Sequence, residues 1–399
     1  MADAPWLTIM GLGEDGLDGL SVAARQALDR AEVVAGADRH LSLLPALTAE
    51  ILRWPVPFEE GIAPLLAQRG RRVVMLASGD PFHFGAGTSV TRHLQPGEWV
   101  AHPAPSTFNM AAARLGWPIQ ESVCLGLHAA PLSRLRPHLA PGSRVIVLVR
   151  DGAAVGALAE YLCDEGFGAS TLYVMEALGG PRERIRQAVA DALDFTDIAH
   201  PVAVGIAVAG EGWVVPHASG LADDWFDHDG QITKRPVRAL TLSALAPRPG
   251  ERLWDIGAGS GSIAIEWLLA YPTTQAIAFE ADPARAVRAR ANAMAMGVDR
   301  LILAEGRAPE VLAAQPTPDA VFIGGGLSQA LLDTLWACLL PGTRLVANAV
   351  TLESEALLAA WQGAKGGHLL RIELAEAVPL GSRRGWRASY PVVQWTVVL

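Results

Sequence analysis

The stretch "RLWDIGAGSGSIAIEWLLA", residues 252–270, decides the fold of the second half of the chain. The apolar run Leu253 to Ile256 reads as a buried strand. It ends in Gly257-Ala258-Gly259-Ser260-Gly261 and passes directly into a helical run. Glycines there let the backbone turn sharply and let a ligand come close to the peptide groups. The helix start behind them offers free N–H groups and the positive end of its dipole. Asp255, two residues before the loop, suits either a contact to an amino group or a hydrogen bond within the loop.

Further elements follow in register. "AIAFEADPARA" puts Glu280 at the end of the next strand, 23 residues after Gly257, where a carboxylate can accept both hydroxyls of a ribose. Loop and acid together fit NAD or S-adenosylmethionine. The tight G-x-G-x-G spacing with an acid before it resembles motif I of the class I methyltransferases, which favours the methyl donor. "AEGRAPEVL" then sets Arg307 and Ala308 after a third strand, and "PDAVFIGGG" sets Gly324 after a fourth. "HLLRIELAEA" and "PVVQWTVVL" look like the closing strands, the last antiparallel. Residues 228–399 are similar to the methyltransferases that act at C15 of a precorrin and remove the ring-C acetate carboxylate. That resemblance implies Thr233, Gly257, Ala258, Gly259, Ser260, Gly261, Glu280 and Ala308 as S-adenosylmethionine contacts, and Asp255 and Gly324, from their places at the strand ends, are candidates beside them. Glu280 stands where the family often has Asp, and Arg307 where Asp is common.

The first half carries a second glycine motif, "LTIMGLGEDGLDGL", residues 7–20. Its spacing matches a dinucleotide fingerprint, but the acid expected about 20 residues on is badly placed. "ASGDPFHFGAGT" follows another buried strand, and "PAPSTFNMAAARLG" opens a helix at Ser106. In order and spacing these three motifs resemble the tetrapyrrole methylases, an α/β family of two subdomains that holds S-adenosylmethionine in the cleft between them. The resemblance implies Gly11, Gly13, Gly79, Asp80, Ser106 and Thr107 as donor contacts. "GLGEDG" departs from the commoner G-x-G-P-G.

Bulk properties agree with an α/β chain of more than one domain. Of 399 residues, 51% are apolar, and strand-like and helical runs alternate throughout, which argues for largely parallel sheets. The expected organisation is a two-subdomain methylase fold over 1–212, split near 103, a linker over 213–230, and a Rossmann-like class I methyltransferase domain over 231–399. A net charge of −9 argues against nucleic acid as partner. No charge-free apolar run reaches the roughly 20 residues of a membrane span, and the start has no signal-peptide pattern. Three scattered cysteines (Cys124, Cys163, Cys338) suggest neither a metal site nor a disulfide, so a cytoplasmic location is expected.

The two modules in tandem resemble the fused C5,15-methylating, decarboxylating family of cobalamin biosynthesis. This implies S-adenosylmethionine-dependent methylation of precorrin-6B at C5 and C15, with loss of the C12 acetate carboxylate, to give precorrin-8X. The same chemistry on a cobalt-bearing intermediate, or an RNA methyltransferase fusion, are the alternatives. Two donor sites, no metal and a homo-oligomer (dimer or tetramer) are implied. The acceptor is a polyanion, so Arg-lined pockets are expected. The candidates are Lys234, Arg235 and Arg238, and Arg383, Arg384 and Arg387 in "GSRRGWRASY". No catalytic acid or base is singled out, because the macrocycle supplies its own nucleophilic carbons.

Overall fold

The computed structural model describes residues 5–399; the first four, where the expected first domain and the stretch read for a leader begin, lie outside them. The chain forms two compact units, one up to Ala130 together with His138–Trp213, the other Pro131–Pro137 together with Val214–Leu399. In the first unit, β1 (Leu7–Leu12), β2 (Val33–Gly36), β3 (Glu50–Arg53), β4 (Val73–Ser78) and β5 (Trp99–His102) form a parallel sheet in the order β3-β2-β4-β1-β5. The apolar runs of β1 and β4 are buried on both faces, as the centre of a covered parallel sheet requires.

The second sheet of this unit holds β6 (Ser122–Gly126), β7 (Arg144–Val149), β8 (Thr171–Glu176), β9 (Arg184–Val189) and β10 (Val202–Ala207), in the order β6-β7-β10-β8-β9. Only β6 and β7 run parallel; the other three pairings are antiparallel, which corrects the expectation of largely parallel sheets here. The connection from β8 to β9 is short, and a short connection returns the chain antiparallel. The helix Thr107–Leu115 packs on β7 and β10.

The second unit is built on β11 (Arg252–Ile256), β12 (Gln275–Glu280), β13 (Ile302–Glu305), β14 (Ala320–Ile323), β15 (Arg344–Ala349) and β16 (His368–Ile372). A separate hairpin, β17 (Ala375–Leu380) with β18 (Arg383–Ala388), precedes the last strand, β19 (Val392–Val398). The sheet order is β13-β12-β11-β14-β15-β19-β16, with β19 antiparallel to both neighbours. The order reverses direction between β11 and β14, which is where open α/β sheets bind ligands. Alternate residues divide the core into two layers. Leu253, Ala278, Phe322 and Val346 face one side, Ile256, Phe279, Ile323 and Ala347 the other. The helix Ser262–Ala270 is buried from Ser262 to Leu268, which explains its apolar residues all round.

The stretch expected as a linker, 213–230, belongs to this unit from Val214 on. Val215, Leu221 and Phe226 are buried among Leu242, Ile263 and Trp267. Its glycines and aspartates disguise three anchoring apolar side chains.

Candidate functional sites

In the first unit the three motifs meet at the carboxyl ends of adjacent strands. Gly79 N–H donates to the Leu12 carbonyl (3.0 Å), and Ala104 N–H donates to the Gly79 carbonyl (3.2 Å). A Cβ at Gly11 would fall 1.9 Å from the Gly79 oxygen and 2.5 Å from the Ala104 nitrogen. Gly11 is therefore a glycine because protein backbone, not ligand, fills the space beside it. Its neighbours Leu12 and Gly13 line the adjoining cavity.

Beside this junction lies a cavity of about 500 Å³, within the range of small-molecule sites. Gly13, Gly79, Asp80, Ser106 and Thr107 line it from the first sheet and the following helix, and Leu148, Met175 and Val202 from the second. Asp80 accepts from Phe82 N–H (2.8 Å) in a local turn, and Ser106 caps its helix by accepting from Asn109 N–H (3.2 Å). His83 Nδ1 lies 3.1 Å from the Ser106 hydroxyl oxygen.

A charged cluster in the cavity wall was not singled out from sequence. Arg39 donates to the buried Glu14 carboxylate, to Ser78 Oγ (2.6 Å) and to His40 Nε2 (2.9 Å), and Arg182 donates to the other Glu14 oxygen (3.0 Å). Since a guanidinium only donates, His40 Nε2 is an acceptor and its ring neutral. Burial, with the Arg39 charge beside it, lowers the His40 pKa to about 4. The signal was present as "GED" and "DRH", but nothing in the sequence pairs two segments 25 residues apart.

In the second unit the loop takes the shape its glycines allow. Gly257, Gly259 and Gly261 have φ of +73°, +58° and +77°, and Gly261 starts the buried helix. Nothing stands closer than 3.9 Å to a Cβ built on Gly259, so the space beside it is open. Glu280 accepts from Gly259 N–H (2.7 Å) and Asp282 N–H (2.9 Å), one on each oxygen. A second lone pair on each oxygen stays available for hydroxyl donors. Gly324 N–H donates to the Ile256 carbonyl (2.9 Å), joining the ends of β11 and β14. Ala308 is half-buried after β13, and Thr233 is half-buried just before the helix Arg235–Leu245.

Asp255 is 1% exposed and accepts from Ala264 N–H (3.1 Å) through one oxygen; the other has no hydrogen-bond partner. Burial is the main cause that pushes its pKa up to about 7, the Glu280 charge adding to it and the Ala264 bond opposing. The Ser260 hydroxyl is likewise buried and unpartnered, while its carbonyl accepts from Asn292 (2.9 Å). Asn292 also donates to the Asp227 carbonyl (2.9 Å), tying the loop to the stretch expected as a linker.

The basic candidates separate. Arg238 is 0% exposed. It donates to Glu266 (2.6 Å), to Asp223 (3.1 Å) and to the Thr233 and Leu221 carbonyls, and Glu266 accepts from Gly220 and Leu221 N–H. With four of its five N–H groups taken up by protein and its side chain fully buried, Arg238 is not placed to reach a substrate; it holds residues 220–233 against the helix 262–270. Lys234 is exposed, 3.7 Å from Asp223. Arg383, Arg384 and Arg387 stand exposed on the β17–β18 hairpin, outside the seven-stranded sheet, with Trp386 exposed among them. Among the described residues no cluster of three or more His, Cys, Asp or Glu is placed to hold a metal ion.

Comparison with known proteins gives two family matches: tetrapyrrole (corrin/porphyrin) methylases over residues 7–194, and a precorrin methyltransferase domain over 224–399. A Sinorhizobium protein named precorrin-6Y C(5,15)-methyltransferase [decarboxylating] is 48% identical over 98% of this chain and 96% of its own length. A Mycobacterium tuberculosis protein of the same name is 40% identical over 98% of this chain and 99% of its own. Among solved structures, the C-terminal domain of a Rhodobacter capsulatus precorrin-6Y C5,15-methyltransferase is 53% identical. It covers 46% of this chain and 100% of its own, with a TM-score of 0.45.

Proposed function

This chain belongs to the precorrin-6Y C(5,15)-methyltransferase [decarboxylating] family, and on that premise we propose that it converts precorrin-6B to precorrin-8X. The conversion comprises two S-adenosylmethionine-dependent C-methylations, at C5 and C15, and loss of CO2 from the C12 acetate. What supports the reading above all is 48% identity across 98% of the chain to a protein of that name. In this reading the cavity of the first unit takes one donor molecule, with Gly13, Gly79, Asp80, Ser106 and Thr107 in its wall. The Gly257–Gly261 loop of the second takes another, with Glu280 on the ribose and Thr233, Ala308 and Gly324 around it. Each transfer needs an electron-rich ring carbon held in line behind the sulfonium methyl. The chain's main contribution is therefore positioning and exclusion of water.

Lys234, Arg383, Arg384 and Arg387 stay as candidate contacts to the acceptor's carboxylates. Replacing Arg384 by Ala is expected to weaken precorrin binding and leave S-adenosylmethionine affinity intact; calorimetry with each ligand reads both, and a loss of donor affinity would remove Arg384 from this role. The reading has the enzyme working as a homo-oligomer in the cytoplasm, on a small-molecule acceptor rather than nucleic acid. Its three cysteines are unpaired thiols and its net charge is −9. The decisive experiment is mass spectrometry of products from precorrin-6B and S-adenosylmethionine. Gain of two methyl groups with loss of one CO2 is expected; unchanged substrate, or one methyl with no decarboxylation by the full chain, overturns the assignment.

A further inference from the structure

A buried polar triad crosses the second unit on the sheet face that carries Leu253, Phe322 and Val346. The Thr241 hydroxyl donates to the Val237 carbonyl (2.8 Å) and so has only its oxygen left to offer. Asn348 Nδ2 (3.0 Å) and Gln394 Nε2 (3.1 Å) both donate to that oxygen, and Gln394 Nε2 also donates to Asn348 Oδ1 (3.0 Å). Thr241 thereby dictates which way both amides face. Thr241 and Gln394 are buried; Asn348 is half-buried, and its second Nδ2 hydrogen has no acceptor among the described residues.

The register places Asn348 at the ligand-binding edge. Ile256 pairs with Ile323, and Ile323 with Ala347, so Gly257, Gly324 and Asn348 stand in one row across β11, β14 and β15. Glu280 stands in the same row on β12. With strands about 4.8 Å apart, Asn348 lies roughly 10 Å from the glycine loop and roughly 15 Å from Glu280. The glycine loop, Glu280 and Ala308 occupy the β11–β13 side of the point where strand order reverses, Gly324 stands at that point, and Asn348 lies beyond it on β15. A ligand bridging that point has its donor on one side and its acceptor on the other.

Resting on the functional reading above, we propose that Asn348 binds the methyl acceptor by donating its free amide N–H to one of the polyanion's carboxylates, with Thr241 and Gln394 as positioning residues. A neutral donor suits a half-buried place, because it recognises a carboxylate without the desolvation cost of a buried charge. The triad's location also accounts for three polar side chains set beside the apolar Leu253, Phe322 and Val346.

The test uses the full chain with precorrin-6B, reading C15 methylation and CO2 loss, donor affinity by calorimetry, and C5 methylation as an internal control. Asn348→Leu is expected to raise KM for the acceptor at the C15 step roughly 10- to 100-fold, the loss of one hydrogen bond to a charged group. Donor affinity and the C5 step stay unchanged. Asn348→Asp, of the same shape, is expected to raise KM further by setting carboxylate against carboxylate, and carries the test should the Leu variant not fold. Thr241→Val is expected to raise KM less, with kcat little changed, and Thr241→Ser to restore it. Unchanged KM in Asn348→Asp, or donor affinity falling in step with KM, overturns the proposal. A wild-type chain that leaves C15 unmethylated instead overturns the functional reading, and this proposal with it.

Discussion

Gly11 and Gly259 sit at equivalent places, each just past or near the end of a central parallel strand, yet for opposite reasons. Beside Gly11 the space is full: a Cβ would meet the Gly79 oxygen at 1.9 Å. Beside Gly259 it is open to 3.9 Å, and the φ of +58° is what calls for glycine. The first glycine lets three strand ends lie backbone on backbone, and the cavity is then walled by their neighbours. The second has its N–H committed to Glu280 and leaves the space beside its Cα open to a ligand. Two glycine motifs at strand ends thus encode a packing joint in one unit and an open surface in the other.

The comparison is framed by the Arg238–Glu266 pair of the second unit, in which both side chains are buried. Arg238→Met is expected to be the most destabilising change, by about 3–5 kcal/mol, because Glu266 is left buried and uncompensated. Urea unfolding of the second unit measures it; a loss under 1 kcal/mol would mean that the pair is not what holds residues 220–233. Gly11→Ala comes next, at or above the upper end of the roughly 1–3 kcal/mol of overpacking. The cost falls on the first unit, seen as protease sensitivity there, while C15 chemistry persists. Gly259→Ala is expected to cost only about 1–2 kcal/mol from the left-handed backbone. It removes C15 methylation and decarboxylation while sparing C5 methylation, and the product mass separates the two. Were Gly11→Ala as well tolerated as Gly259→Ala, the contrast between the two glycines would collapse.

The last expected effect is one of pH. Asp255 has its folded pKa raised from 3.8 to about 7 by burial, so the folded state holds a proton that the unfolded state has released. Its contribution is fully present below the unfolded pKa and is lost as pH rises through the folded one, so stability falls from about pH 4 to about pH 7. Asp255→Asn is expected to abolish that decline, checked by denaturant melts across the interval. A wild-type curve that rises with pH and an unchanged variant would show Asp255 ionised in the folded chain.

Much of the fold was legible because buried strands are continuous apolar runs: β1, β4, β7, β10, β11, β12, β14 and β15 announce themselves. The strands that escaped are short or at edges. β9 reads "RIRQAV" and alternates half-buried with exposed residues, and β3 reads "EILR" with one side in water. Their identity depends on a neighbour to pair with, and that neighbour is remote in sequence.

The site divides in the same way. The donor loop, its preceding acid and Glu280 lie within one strand–helix–strand unit, and their spacing along the chain follows from that local geometry. Asn348 and Gln394 face Thr241 across 107 and 153 residues, and Glu14 meets Arg182 across 168. No spacing rule reaches that far. Arg238 carries the same lesson: beside Lys234 and Arg235 its sequence neighbourhood is that of a solvated helix start, yet Glu266 arrives 28 residues later to bury it. The sequence by itself determined which segments are strands, where the backbone must turn and which ligand class the loops suit, because those follow from local sterics and periodicity. The tertiary structure alone decided which charges are buried, which glycine faces protein rather than ligand, and which amide is left free, because each depends on the atoms brought alongside by the fold.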